Sequence, residues 1–439
     1  MTMTSICIDG FNLALARGSG IATYGRNLLE NVRALGMGTQ VLYGPSGVKK
    51  PQNVLNEAML VDAERPPQKL NRKQKARRWR NTLTSPLGRS PYPIMPSGEV
   101  IWPSRSGGMP AADRFWAAQD LYFLANRAFH AYGRSTPVSF AATSDAPAPD
   151  IMHWTANLPL HAKGVANIYT FHDLIPLRLP HTTLDDKANY MKLSREVASR
   201  ADHIAVVSET TRQDVIRLLG VDERRVTNTY QAVSIPSSLS DRPQAEVEME
   251  LEGVFNLGWK NYFLHFGAIE PKKNLGRIVE AYLASGTRAP LIIIGGRAWL
   301  DEGETALLAQ VKRDGGPNAD RIRQYDYMPF SLLISLVRGA KATLFPSLYE
   351  GFGLPVLESM ALSTAVLTST GGALPEVAGD AALIVDPYDA RAIARGIQAL
   401  DADADMRLNF ETLGKVQAEA FSPAAYQLKL RDLYAKVVG

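Results

Sequence analysis

Short apolar runs recur along the chain, separated by longer stretches in which apolar residues return every third or fourth position. The first runs predict strands over 6–8 and 40–43, with a helix between them that starts at Ile21 and sets Leu28, Leu29 and Val32 on one side. The pattern resumes with strands over 151–154, 167–171, 203–207 and 225–232, and with helices over 184–200 and from an N-cap at Ser208 to a stop at Gly220. The second half is more regular: strands over 262–266, 291–294, 321–325, 342–345, 365–368 and 382–385 alternate with helical patterns such as 275–284 and 331–338. Near-continuous apolar strands alternating with helices predict parallel sheets covered on both faces. The expected fold class is α/β, with two Rossmann-like, doubly wound halves. A faint repeat of 201–208 in 340–347 points the same way.

The first domain is expected to span 1–237 and to carry an insertion at 44–150. There the alternation fails, prolines gather, and one aromatic amphipathic segment runs over 114–132. A stretch rich in Ser and Pro over 236–244 reads as the interdomain linker. The second domain is expected over 238–415, and a C-terminal helix over 416–439 is expected to pack back on the first domain.

Composition narrows the class without changing this picture. With 439 residues, 46% hydrophobic and 21% charged, the chain is built to pack. No apolar stretch approaches the ~18 to 20 residues that span a bilayer, and the start lacks a charged segment followed by an apolar one, so a cytoplasmic protein is expected. The single cysteine, Cys7, sits in the apolar run 5–8, which leaves neither an intrachain disulfide nor a cysteine metal cluster. Net charge is only +4, yet nine Lys or Arg fall between Arg65 and Arg89 with no acid among them, so the rest of the chain is net acidic. Such a run suits an anionic surface and equally suits a solvated face.

Ligands of open α/β sheets bind at the carboxyl ends of strands. Four segments lie there. The first runs from the strand end at Phe345 through Glu350-Gly351-Phe352-Gly353-Leu354 into a helix with Pro355 in its first turn. Gly351 and Gly353 let a backbone approach a ligand, and the free amides of a helix start suit a diphosphate. Glu358, one turn into that helix among Leu357, Met360 and Ala361, is a carboxylate in apolar company that ribose hydroxyls would satisfy. Glu350 is placed to accept hydroxyls of a sugar beyond the diphosphate. Solvated glutamates are the plainer alternative, which the glycine turn disfavours.

The second segment, 266–275, opens with Gly267 and sets Lys272 and Lys273 just before a helix, where positive charge suits a leaving diphosphate. The third is His172-Asp173, with Asp173 either orienting His172 or capping a turn. The fourth is Gly18-Ser19-Gly20, where a dinucleotide fingerprint would want glycine at the position of Thr23. Gly18 and Gly20 remain candidates for admitting an acceptor close to the backbone. The acidic residues Asp401, Asp403 and Asp405 lie in a helical tail and do not read as a metal site.

Together these residues resemble the retaining GT-B glycosyltransferases of family GT4, and within it the mannosyltransferase-like branch of bacterial O-antigen and exopolysaccharide synthesis. Glu350 and Glu358 match the family's E-x7-E motif, and 351–355 its G-F-G-L-P. The stretch 267–275, the run from His172 to Pro176, and Val207-Ser208-Glu209 match that branch. The resemblance covers roughly 5–43 and 151–400.

It implies a nucleotide-sugar donor, most simply GDP-mannose, with a rhamnose, fucose, glucose or N-acetylglucosamine nucleotide as the alternative, held by the second domain, and a glycan or lipid-linked glycan acceptor held by the first. Glu358 would hold the ribose, Glu350 the donor sugar, Lys273 the diphosphate and His172 the sugar or acceptor near the anomeric carbon. Gly267, Lys272, Gly351, Phe352, Gly353, Leu354 and Ser208 would complete the donor site, with His172, Asp173, Lys273 and Glu350 as the catalytic set. The implied chemistry keeps the anomeric configuration and uses no metal and no cofactor. A nucleic-acid partner is not implied.

The chain departs from the pattern in three places. Ala268 stands where many members carry Arg, so Lys272 would have to supply that charge. Gln231-Ala232 replaces the usual Asn-Gly after the last strand of the first domain. The insertion has no counterpart to carry over; with Trp79 and nine cations it suits docking on an anionic inner membrane surface. Two other classes share parts of the pattern: a nicotinamide oxidoreductase, which would need an acidic residue after the second strand where Tyr43-Gly44 stands, and a non-catalytic glycan-binding scaffold.

Overall fold

The structure is a computed structural model that describes residues 4–14, 20–47, 49–62, 72–103, 108–296 and 302–438. The first of its two main sheets has eight strands in the order Val226–Asn228, His203–Val206, Ala166–Phe171, Ile151–Trp154, Ser5–Asp9, Gly38–Tyr43, Arg114–Ala117 and Tyr92–Ile94. All pairs are parallel except the last, where Tyr92–Ile94 runs antiparallel at the edge. Ile6, Cys7 and Ile8 are fully buried, as expected of a central parallel strand covered on both faces.

The second sheet is six parallel strands in the order Ile322–Tyr325, Leu291–Ile294, Phe263–Phe266, Ala342–Phe345, Val366–Ser369 and Leu383–Val385. Counted along the chain this is 3-2-1-4-5-6, the doubly wound order in which a crevice opens between the first and fourth strands. In the first sheet the strand order reverses between Ser5–Asp9 and Ile151–Trp154.

The region 44–150 is not wholly an insertion. Arg114–Ala117 pairs in parallel with the strand Gly38–Tyr43, and the helix Leu121–Tyr132 covers it, so the alternation continues there. A four-residue strand set three residues before an aromatic helix reads as one amphipathic segment, which hides the change of period. The added material lies before it: the helices Asn53–Val61 and Arg72–Leu83 and the edge strand Tyr92–Ile94. The last strand of the first domain is also shorter than the apolar run suggests, ending at Asn228.

The C-terminal helix Pro423–Val438 packs on the opening helix Gly20–Ala34 of the first domain. It buries Tyr426, Leu430, Leu433 and Tyr434 there, and Gln427 donates to Asn31 Oδ1 at 2.9 Å. The chain crosses back where the Val233 amide donates to the Phe421 carbonyl at 2.9 Å.

Candidate active site

The crevice of the second sheet lies between the loops that follow Phe266 and Phe345. Gly267 has φ 134°, a conformation that side-chain-bearing residues rarely adopt, and the space where a Cβ would sit is open. After it comes a single 3-10 turn, Pro271–Lys273, and then Asn274 in the left-handed region. The buried Asn274 amide donates to the carbonyls of Pro346 (2.9 Å) and Pro387 (2.8 Å), and so ties the two loops together.

This tie brings the lysines to Glu350. Lys273 Nζ lies 2.5 Å from Glu350 Oε1 and Lys272 Nζ 3.8 Å from Oε2, while Lys272 also faces Glu270 Oε1 at 3.5 Å. Burial pushes the Glu350 carboxyl up, but the two ammonium groups outweigh it and hold it below its ordinary range. Burial likewise opposes the charge on Lys272, and the carboxylates of Glu350, Asp173 and Glu270 overcome it and raise that pKa. Glu270, part of the 266–275 segment but given no role by its sequence, is buried and raised by desolvation against the pull of both lysines. The cluster is therefore charged and partly neutralised from within.

Gly353, with φ 113°, opens the helix Leu354–Ala361 and leaves its first amides free of side-chain caps. A Cβ on Gly353 would come within 2.8 Å of Leu374. On the same helix the Glu358 carboxylate makes no hydrogen bond among the described residues. Desolvation raises its carboxyl to about 7, against a small pull from Lys273. The residue is half-buried, and a carboxyl desolvated in this way without donors is costly unless a ligand brings them.

The first domain meets this turn directly. A Cβ on Gly351 would sit 2.1 Å from the His172 carbonyl, so only glycine lets the two domains approach so closely. Thr211 Oγ1 bridges the same gap, 3.2 Å from the His172 carbonyl and 3.4 Å from that of Gly351. Tyr349 donates to Asp214 at 2.6 Å, and the Glu376 carboxylate accepts the amides of Glu209 (2.7 Å) and Thr210 (3.2 Å) at the start of helix Glu209–Leu219. Glu376 too was missed. Its signal was a second strand end followed by glycines and Leu-Pro, Gly371-Gly372-Ala373-Leu374-Pro375, echoing 351–355.

His172 donates through Nε2 to the Thr155 carbonyl at 2.8 Å, which fixes the tautomer and leaves Nδ1 as an acceptor. Burial lowers its pKa, opposed by the Thr155 carbonyl and by the charge of Asp173. The structure therefore separates several residues that the sequence grouped. Asp173 does not orient the ring by a hydrogen bond; its Oδ1 accepts the Ile175 amide at 3.0 Å and caps the turn. Ser208 is fully buried and its hydroxyl is spent on Thr211 as a helix cap, so it cannot reach a donor.

Phe352 turns away from the crevice. It packs on Phe421 and Tyr230, with ring centres 5.7 and 6.3 Å apart, and leaves only its backbone for a ligand. Tyr230, just before Gln231-Ala232, takes the left-handed conformation, at φ 57°. Leu354 is half-buried at the head of its helix. Gly20 is exposed at the start of the opening helix, with open space around it, whereas Gly18 lies outside the described residues. Among the described residues no group of three or more His, Cys, Asp or Glu is placed to hold a metal.

Comparison with known proteins follows the same two-part division. The family Glycosyltransferase Family 4 matches residues 99–235, and the family Glycosyl transferases group 1 matches residues 254–417. O-antigen chain mannosyltransferase B of Escherichia coli is 35% identical over 260 residues, 58% of this chain and 66% of that protein. The serotype-specific mannosyltransferase WbdA of Escherichia coli is 27% identical over 293 residues, 63% of this chain. The matches thus span just under two thirds of the first relative and 35% of the second. Sucrose-phosphate synthase from Thermosynechococcus elongatus superposes with a TM-score of 0.67 at 17% identity, covering 99% of this chain and 98% of that one.

Proposed function

The chain belongs to the family 4 glycosyltransferases of GT-B fold, and from that premise we propose that it transfers a hexose, with retention of anomeric configuration, from a nucleotide diphosphate sugar to a bacterial surface glycan or lipid-linked oligosaccharide. The observation that carries the reading is the juxtaposition of Lys272, Lys273 and Glu350 with the free amides at Gly353 and an unpartnered Glu358. A diphosphate set against the lysines and amides would place its ribose at Glu358 and its sugar at Glu350, next to His172. An ammonium group has three donors, and only one of those on Lys273 is taken by Glu350, so the others can meet the leaving oxygen as charge builds on it. The leaving phosphate is the natural base for the acceptor proton, and Lys272 and Lys273 supply the positive charge that this departure needs. Mannose is the sugar that the names of the relatives favour, and GDP-mannose is the donor we propose for it.

A panel of nucleotide sugars tests this. Donor hydrolysis or transfer confined to GDP-mannose is expected; turnover confined to a UDP- or dTDP-sugar would replace the donor, and binding of NADH with no turnover of any nucleotide sugar would overturn the reading.

Among the described residues no helix is long and apolar enough to cross a membrane. We propose that the protein reaches a lipid-linked acceptor by docking on an anionic surface through the helix Arg72–Leu83, which carries six Lys or Arg in twelve residues and no acid. Trp79 is 62% exposed on it, Leu83 44%, and Leu87 just beyond is 82% exposed, so apolar anchors stand among the cations. Arg65 and Lys69, the first two cations of the run, lie outside the described residues. At up to ~1 kcal/mol per basic residue near the surface, changing those six to glutamine is expected to weaken co-sedimentation with phosphatidylglycerol vesicles by roughly 100-fold or more. Donor hydrolysis should be unchanged, and undiminished co-sedimentation would refute the docking.

A further inference from the structure

Behind His172 runs a string of buried polar side chains that begins on the C-terminal helix. Tyr434 Oη lies 2.9 Å from His153 Nδ1, His153 Nε2 lies 2.8 Å from Thr170 Oγ1, and Thr170 Oγ1 lies 2.9 Å from Tyr24 Oη. The four residues are at most 2% exposed and come from four elements: the C-terminal helix, two adjacent strands of the first sheet and the opening helix. The Tyr24 ring stands edge-on to the His172 ring, 4.8 Å between centres at 90°. His172 itself follows the strand Ala166–Phe171 that carries Thr170, and its Nε2 is held by the carbonyl of Thr155, two residues beyond His153.

We propose that Tyr434 and His153 are positioning residues for sugar transfer, holding the His172 ring in place through Thr170 and Tyr24. The inference rests on the reading of His172 as a group of the transfer site. Several features support it. Burial, with the nearby His172 adding to it, pushes the His153 imidazole down to about 3, so the ring is neutral. A neutral imidazole donates at one nitrogen and accepts at the other, so the hydroxyls on its two sides must be oriented in one sense along the string. A change at Tyr434 is therefore passed along a chain whose members have no water to turn to. The two ends of the string meet different neighbours. One is on the segment that returns from the second domain through Phe421, and the other touches the ring of His172, whose backbone carbonyl meets the Gly351 turn. The C-terminal helix thus completes the reacting site as well as the first domain's core.

A double-mutant cycle on the full chain tests this. Tyr434→Phe removes one hydroxyl and keeps the ring; Tyr24→Phe cuts the string at its other end and serves if the first variant folds poorly. Either is expected to lower kcat roughly tenfold or more, because small displacements at a reacting centre are amplified, with KM for the nucleotide sugar within twofold. In a His172→Ala background the same change should have no further effect. Equal losses in both backgrounds would show a purely structural string and overturn the proposal, with the transferase reading intact. Normal transfer by His172→Ala alone would instead remove His172 from the site and take the proposal with it. The nitrogen-15 shifts of the His172 ring give a second readout, expected to move in Tyr434→Phe; unchanged shifts count against the proposal.

Discussion

Replacing Lys273 with alanine is expected to lower turnover by about 100- to 1,000-fold, the range seen when one donor aimed at developing charge is removed. Lys273 Nζ is 2.5 Å from Glu350, and its side chain is only 13% exposed, so solvent screens its charge little. Lys272, at 3.8 Å from the same carboxylate and shared with Glu270, is the weaker replacement, and Lys272→Ala is expected to cost less. The loss has a second, separable part. Glu350 is held below its ordinary pKa chiefly by Lys273, so the pair stabilises the fold above the carboxyl's unfolded pKa and ceases to do so as the pH falls through the lowered one. Removing one partner of a buried pair costs about 3–5 kcal/mol. The variant should therefore melt earlier than the wild type at neutral pH, with the difference narrowing in acid. Turnover at saturating donor and thermal melts at pH 4 and 7 separate the two effects; wild-type turnover in Lys273→Ala would remove the lysine from the reaction.

The second large effect is expected at Glu358, and its two consequences have opposite signs. Burial raises this carboxyl to about 7 from 4.5, so ionising it is unfavourable in the folded state. That cost begins as the pH passes the unfolded pKa, grows toward pH 7 and is constant above. At 1.36 kcal/mol per pKa unit, Glu358→Gln should stabilise the ligand-free protein at pH 8 by up to about 3 kcal/mol, and not at all at pH 4. Nucleotide binding should move the other way. Ribose hydroxyls donating to the carboxylate contribute about 1.5–3 kcal/mol per charge-assisted bond, so the variant should bind a nucleotide sugar roughly 10- to 100-fold more weakly. A nucleotide sugar's diphosphate has no ionisation near pH 7, so wild-type affinity should rise between pH 6 and 8 while that of the variant stays flat. Calorimetric titrations at three pH values check both. A group that destabilises the empty protein and is satisfied by ligand marks a site selected for binding.

How much of this was legible in the chain depends on how local each signal is. The second domain could be read strand by strand because its apolar runs are bounded by glycine and proline, as in the expected 291–294 and the observed Leu291–Ile294. The lysine pair, both glutamates and the glycine turn were also local, and the fold brings them together. What failed depended on direction in three dimensions. Phe352 sits inside the donor motif yet packs on Phe421 and Tyr230, and Ser208 lies at the right strand end but serves as a cap. Tyr230 takes a left-handed conformation that the sequence rule reserves for Gly or Asn, held there by packing on Phe421 with Lys429 over its ring. Glu376 acts on amides more than 160 residues away, so the glycine and Leu-Pro echo marks its turn but not its partner. The strand Arg114–Ala117 was lost because its four residues merge with an aromatic helix.

The most direct measurement is a crystal structure of the protein with a nucleoside diphosphate. The pyrophosphate is expected within hydrogen-bond reach of Lys273 Nζ and the amides of Gly353 and Leu354, with the ribose hydroxyls on Glu358. A nucleotide seated instead in the first domain's crevice, beside Asp9 and Thr155, would contradict the account.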